Sequence, residues 1–186
     1  MSPATTAADV HKDFLLLQVV EQFLARRYPT AECAESERQI VRSLMADWLK
    51  RILAEKANSV PPIDSTPLNS SSSSSTLLAV PLKNKMAHIF ALVFVADFPD
   101  RWPTFFHEIF LDQFRQASSS CLIEFYLRTL MVVDSEVADR EIQRTKQELD
   151  RNTRIKDGMR QFCVNDIVRS WTDILNSMGA LYAFLG

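Results

Sequence analysis

A chain of 186 residues with three glycines, Gly158, Gly179 and Gly186, has almost nowhere to turn its backbone through positive φ at low cost. Average usage would supply roughly 13. No two of the three lie closer than seven residues, so neither G-x-G-x-x-G nor a Walker A loop is present. Phosphate-cradling α/β folds and glycine-turned β-barrels are therefore disfavoured, and an all-α fold is expected.

Twenty-one basic and 23 acidic side chains leave a formal charge of −2, with no global basic field to hold nucleic acid or an anionic membrane. No apolar run approaches the roughly 18 residues that span a bilayer, so no membrane insertion is expected. Residues Met1 to Asp9 lack a basic stretch followed by an apolar one, so no secretory signal is read. Cys33, Cys121 and Cys163, 88 and 42 residues apart, fit neither a zinc site nor a disulfide framework. A reducing compartment, cytosol or nucleus, is expected.

The apolar pattern is helical. Phe14, Leu17, Val20 and Leu24 recur at three- and four-residue steps, predicting a helix over 10–27 that Pro29 stops. A second helix is predicted from Glu37 to Glu55, opened by a Ser36–Gln39 capping box. Its pairs Ile40/Val41, Leu44/Met45, Trp48/Leu49 and Ile52/Leu53 make a wide stripe, which the first helix is expected to cover as the other arm of a hairpin spanning 9–56. Residues 57–80, with Pro61, Pro62, Pro67 and six consecutive serines, read as a flexible linker. Thr66-Pro67 within it is a weak proline-directed phosphorylation motif. Pro81 then opens a helix through Asp97, and Trp102-Pro103 opens another; together they form a second pair, 81–117. A third pair, 118–176, begins with the helix carrying Leu122, Phe125, Tyr126, Leu130 and Val133. It closes with one carrying Ile155, Met159, Phe162, Ile167, Trp171 and Ile174. Residues 177–186 read as an apolar tail. Three antiparallel pairs recurring every 40–48 residues, once the linker is discounted, suggest HEAT or armadillo repeats stacked as an α-α superhelix. An ordinary six-helix bundle remains the alternative.

Catalytic patterns are absent from this reading. His107-Glu108 opens like H-E-x-x-H, but Leu111 stands where the second ligand belongs. His11 and His88 stand apart from it. The carboxylates at Asp97/Asp100 and Asp134/Glu136 lie at helix ends, where capping accounts for them. Cys121 and Cys163 read as buried small hydrophobes. No cofactor is called for. Between Asp134 and Arg160, 14 of 27 residues are charged, seven of each sign. Composition favours a solvated face there. Yet Arg151, Asn152, Arg154, Lys156, Asp157 and Arg160 gather many donors, and arginine forks suit carboxylates on a partner.

Several segments carry a resemblance. Lys83-Asn84-Lys85 leading into Ile89 through Val95, and Asp100-Arg101-Trp102-Pro103-Thr104-Phe105-Phe106, resemble the N-terminal region of nuclear export receptors of the importin-β superfamily. Tyr126 through Leu130, Asp134 through Arg140, Arg151 through Arg160 and Ser170-Trp171 narrow the likeness to the tRNA-carrying members, over roughly residues 10–175. The resemblance implies a non-enzymatic HEAT-repeat receptor segment that shuttles between nucleus and cytoplasm. Its implied partners are the GTP form of the small GTPase Ran, tRNA and nuclear pore proteins. By the same analogy Arg42, Lys50, Lys83, Lys85 and the cluster Arg151, Asn152, Arg154, Lys156, Asp157 and Arg160 are candidate partner contacts. A family with protein cargo, or a helical adaptor without Ran binding, are the rival readings. By the resemblance, the family's first helix pair and everything beyond Trp171 are expected to be missing, so the chain reads as a fragment or truncated product.

Overall fold

The computed structural model describes the backbone at residues 7–57, 80–116 and 120–185, and side chains within 11–50, at 53, and within 80–114 and 120–176. The linker and Thr66-Pro67 lie outside the described residues. Seven helices and no strand occur among those described: α1 (Ala7–Arg26), α2 (Glu35–Ala57), α3 (Val80–Asp97), α4 (Asp112–Gln116), α5 (Ser120–Val137), α6 (Lys146–Phe162) and α7 (Val164–Leu185). A π-helical turn, His107–Leu111, runs directly into α4.

Helix α3 is the centre of the fold because it is apolar on nearly every side, which only a buried helix tolerates. It packs against α1 on one flank and α5 on the other, so α1, α3 and α5 stack as successive layers. The fold is an all-α superhelix of HEAT type, as expected. Between the layers runs a phenylalanine seam. Phe90 meets Phe125 at 5.0 Å, Phe94 meets Phe98 at 4.7 Å and Phe106 at 5.0 Å, and Phe110 meets Tyr126 at 5.1 Å. Each such ring, fully buried, contributes about 1.5–3 kcal/mol.

The α2 stripe is narrower than its sequence suggests. Met45 and Leu49 are buried, while Ile40 and Leu44 are exposed. Its main packing partner is α5 rather than α1, and Trp48 bridges to Phe125 at 4.8 Å and Phe90 at 5.9 Å. Helix α1 spends its apolar face on α3 instead. The capping expectation also shifts: α2 begins at Glu35, and Glu37 reaches back to accept from the Ala34 amide at 2.9 Å, leaving Ser36 inside the first turn.

Two further differences concern the second half. The π turn is a wider loop than an α turn, and it brings Ile109, Phe110 and Leu111 inward together with Phe105 and Phe106. The single closing helix expected through Ile155 and Ile174 is two, broken at Cys163. The first of them starts at Lys146, where Thr145 and Glu148 form a complete capping box. The tail expected at 177–186 continues α7 as helix to Leu185.

Candidate functional site

The ten candidate partner contacts do not form one site. Their surroundings follow from what each helix must bury. Asp97, at the last turn of α3, has a fully buried carboxylate. It accepts from the Tyr28 hydroxyl at 2.7 Å, from Arg38 Nη1 at 2.8 Å, and from Arg42 Nη2 at 2.8 Å and Nε at 3.3 Å. Arg38 also donates to the carbonyls of Tyr28 and Thr30, and its guanidinium lies over the Tyr28 ring. Arg42 stacks on Trp102 at 4.9 Å. Burial works against the Arg42 charge, but its bonds to Asp97 outweigh that and raise its pKa. Tyr28 is pushed upward by burial and then by Asp97, so it stays a neutral donor. Asp97 is thus no helix-end cap. It is the anion that lets two arginines sit beside α3.

Lys83 and Lys85 tie α3 to its two flanking layers. Lys83, almost buried, pairs with Glu124 of α5 at 2.7 Å, and Lys85 pairs with Glu21 of α1. His88 adds a contact to Glu21 at 3.1 Å. Hydrogen bonds from Lys83 and Arg128 lower the Glu124 pKa. Lys50 stands in solvent on α2, 3.4 Å from Asp47.

The α6 cluster divides. Asn152 is buried, and its Nδ2 donates to the Glu136 and Val137 carbonyls at 3.0 and 3.2 Å, closing the C-terminus of α5. Arg144 serves the same helix end through the Ser135 and Glu136 carbonyls. Arg151 donates twice to Asn152 Oδ1, at 3.1 and 3.0 Å, and burial lowers its pKa. Arg154 faces Asp100 at 3.6 Å with both side chains mostly exposed, and Asp157 pairs with Arg160 at 2.8 Å in solvent. Lys156 is half-buried. Lys50, Arg154, Asp157 and Arg160 thus face outward, whereas Arg42, Lys83, Lys85 and Asn152 are bound into the structure.

Sequence reasoning missed Tyr28, Arg38 and Asp97. A signal was there: Arg38 and Arg42 are like charges one helical turn apart, which repel unless an anion lies between them. Among the described residues no group of His, Cys, Asp or Glu is disposed to hold a metal ion. His107 contacts Asp166 at 2.9 Å, joining the π turn to α7. Cys163 is buried, which raises its thiol pKa to about 11, while Cys121 is half-buried. No helix is long and apolar enough to cross a membrane among the described residues.

A family model described as Exportin 1-like protein matches residues 79–181, the stretch that contains the α3–α5 core, the π turn and the α6 cluster. The chain belongs to the exportin 1-like family. Within it, the chain is similar to Exportin-T of Homo sapiens, 33% identical over 172 residues that cover 92% of this chain and 15% of the relative. Exportin-T of Danio rerio is 32% identical over 91% of the chain, and that of Dictyostelium discoideum 30% over 87%, covering 15% and 13% of those relatives. The chain therefore spans about 15% of the length of the exportin-T sequences it resembles. No solved structure matches it.

Proposed function

We propose that this chain is a non-catalytic segment of a nuclear export receptor that binds Ran-GTP and tRNA cooperatively, shuttling between nucleus and cytoplasm past nuclear pore proteins. The observation that carries this reading is the exportin-T likeness over nine-tenths of the chain. In this reading the segments 9–56, 81–117 and 118–176 are its repeat units, the last of them carrying three helices rather than a pair. The γ-phosphate of GTP orders the GTPase switch loops, and a stacked helical surface complements only the ordered shape. Cooperation with tRNA then requires that both ligands favour the same curvature of the stack.

In this reading the outward-facing Lys50, Arg154, Asp157 and Arg160 meet the partner, with the half-buried Lys156 and Arg151 beside them. Arg42, Lys83, Lys85 and Asn152 keep the layers in register beneath. Binding of the chain to Ran loaded with a non-hydrolysable GTP analogue, compared with GDP, tests the reading: a strong preference for the GTP form supports it, and equal affinity removes it. Scoring tRNA capture with and without Ran-GTP then tests the tRNA component.

A further inference from the structure

A groove of about 570 Å³ lies where α1 and α3 end, between the turn after α3 and the first half of α6. Its floor is apolar, formed by Leu24, Leu92, Val95 and Phe98, and its rim carries Arg101, Arg151 and Arg154 with Asp100 and Glu148.

The two rim acids are already occupied. Glu148 Oε2 accepts from the Thr145 amide at 2.7 Å and hydroxyl at 2.8 Å, completing the α6 cap, and Asp100 faces Arg154. Arg151 is in the opposite condition. Its hydrogen bonds go to a neutral amide oxygen, that of Asn152; Glu148 and Glu136 lie near enough to favour its charge, but neither forms an ion pair with it among the described residues. Asn152 is itself clamped to the end of α5, so the Arg151 fork is held in place before any ligand arrives. A fixed guanidinium with an unfilled anion position, standing over an apolar floor, fits a carboxylate whose neighbour in the ligand is apolar.

The same features argue against a nucleic acid strand. Successive phosphates would run past Asp100 and Glu148. The floor also offers no free stacking platform, because Phe98 is buried and stacked on Phe94 at 4.7 Å. A peptide needs only one carboxylate at the fork.

We propose that this groove docks a short acidic–apolar segment of a protein partner, with an aliphatic side chain on the floor and an adjacent Asp or Glu carboxylate on Arg151, assisted by Arg101. The proposal is independent of the Ran and tRNA reading and stands or falls without it.

The test uses the whole 186-residue chain and a fluorescein-labelled peptide, Gly-Ser-Leu-Asp-Leu-Glu-Ser-Gly, followed by anisotropy in about 0.1 M salt. Saturable binding is expected, weakened roughly tenfold when Asn and Gln replace the two acids or when Arg151→Gln is introduced. Arg101→Gln, at an exposed position whose change leaves the packing intact, is expected to weaken it about threefold. Arg169→Gln, exposed on α7 and outside the groove, is expected to change nothing. Absence of saturation up to about 1 mM would overturn the proposal. So would equal affinity for the acidic and amide peptides, insensitivity to both groove arginines, or an eight-nucleotide oligouridine binding more tightly than the peptide.

Discussion

Helices α3 and α6 are nearly equal in length, 18 and 17 residues, yet eleven residues of α3 are buried and three of α6. The first is held by mass: it lies between two layers and contributes to the aromatic seam along most of its length. The second is held at a few points. Asn152 closes the end of α5, Ile155 enters the core, and Gly158 lets the helix press against Phe98 and Pro99. The difference teaches that one stack is built by two kinds of adhesion, distributed burial at its centre and sparse specific contacts toward its far side. The groove proposed above opens where the two meet.

Variants can break or sharpen this contrast. The largest effect is expected at Asp97→Asn, which leaves Arg38 buried without its counter-charge; a loss of about 3–5 kcal/mol in urea unfolding is expected. Next is Gly158→Ala. Helix propensity favours alanine by about 1 kcal/mol, but the new Cβ would lie 2.9 Å from Pro99 Cβ. The ring cannot rotate away, so a net loss of about 1–2 kcal/mol is expected from overpacking, read as a lower urea midpoint. An increase in stability would show that α6 is looser than described.

Smaller effects are expected at the polar ties. Because the folded pKa of Glu124 is depressed below its ordinary value of 4.5, its contribution is present above that value and lost as pH falls through the folded one. Wild type should therefore lose its advantage over Glu124→Gln on acidification in paired thermal melts, and the advantage at neutral pH should be about 1 kcal/mol, because the carboxylate is more than a third exposed although Lys83 is buried. The smallest change is expected at Arg160→Ala. Its partner Asp157 is in the same helix and both are in solvent, so stability should stay within about 0.5 kcal/mol of wild type in the same melts.

The part of the fold visible in the sequence is the part that burial dictates. Apolar spacing alone placed α1, α3 and α5, although in α1 only Leu24 is fully buried and Val20, read as part of its stripe, is exposed. It misread the partner of α2, since a stripe announces that something must cover it and not which helix will. It ran α6 and α7 together because no proline or glycine marks the break at Cys163, and the five-residue step from Phe162 to Ile167 was its only trace. The α6 start was written in Thr145 and Glu148, three apart, but a run of mixed charge obscured it. Of the candidate contacts, charge type was legible and direction was not. Lys83 and Lys50 read alike as isolated cations, and only Glu124, far along the chain, makes the first an internal brace. Asp97 was read as a cap because a carboxylate ending a helix ordinarily meets water, whereas here it is buried against two arginines.

The knot of Tyr28, Arg38 and Arg42 around Asp97 has a consequence for the chain's architecture as a string. It rivets the stretch before residue 58 directly to the stretch after residue 79. The two sides therefore do not depend on the intervening peptide to find each other once folded. Scission anywhere within 58–79 should yield two pieces that migrate as one particle, and lengthening or pruning that run should leave the rest of the molecule in place, at an entropic cost that grows only with the logarithm of its length.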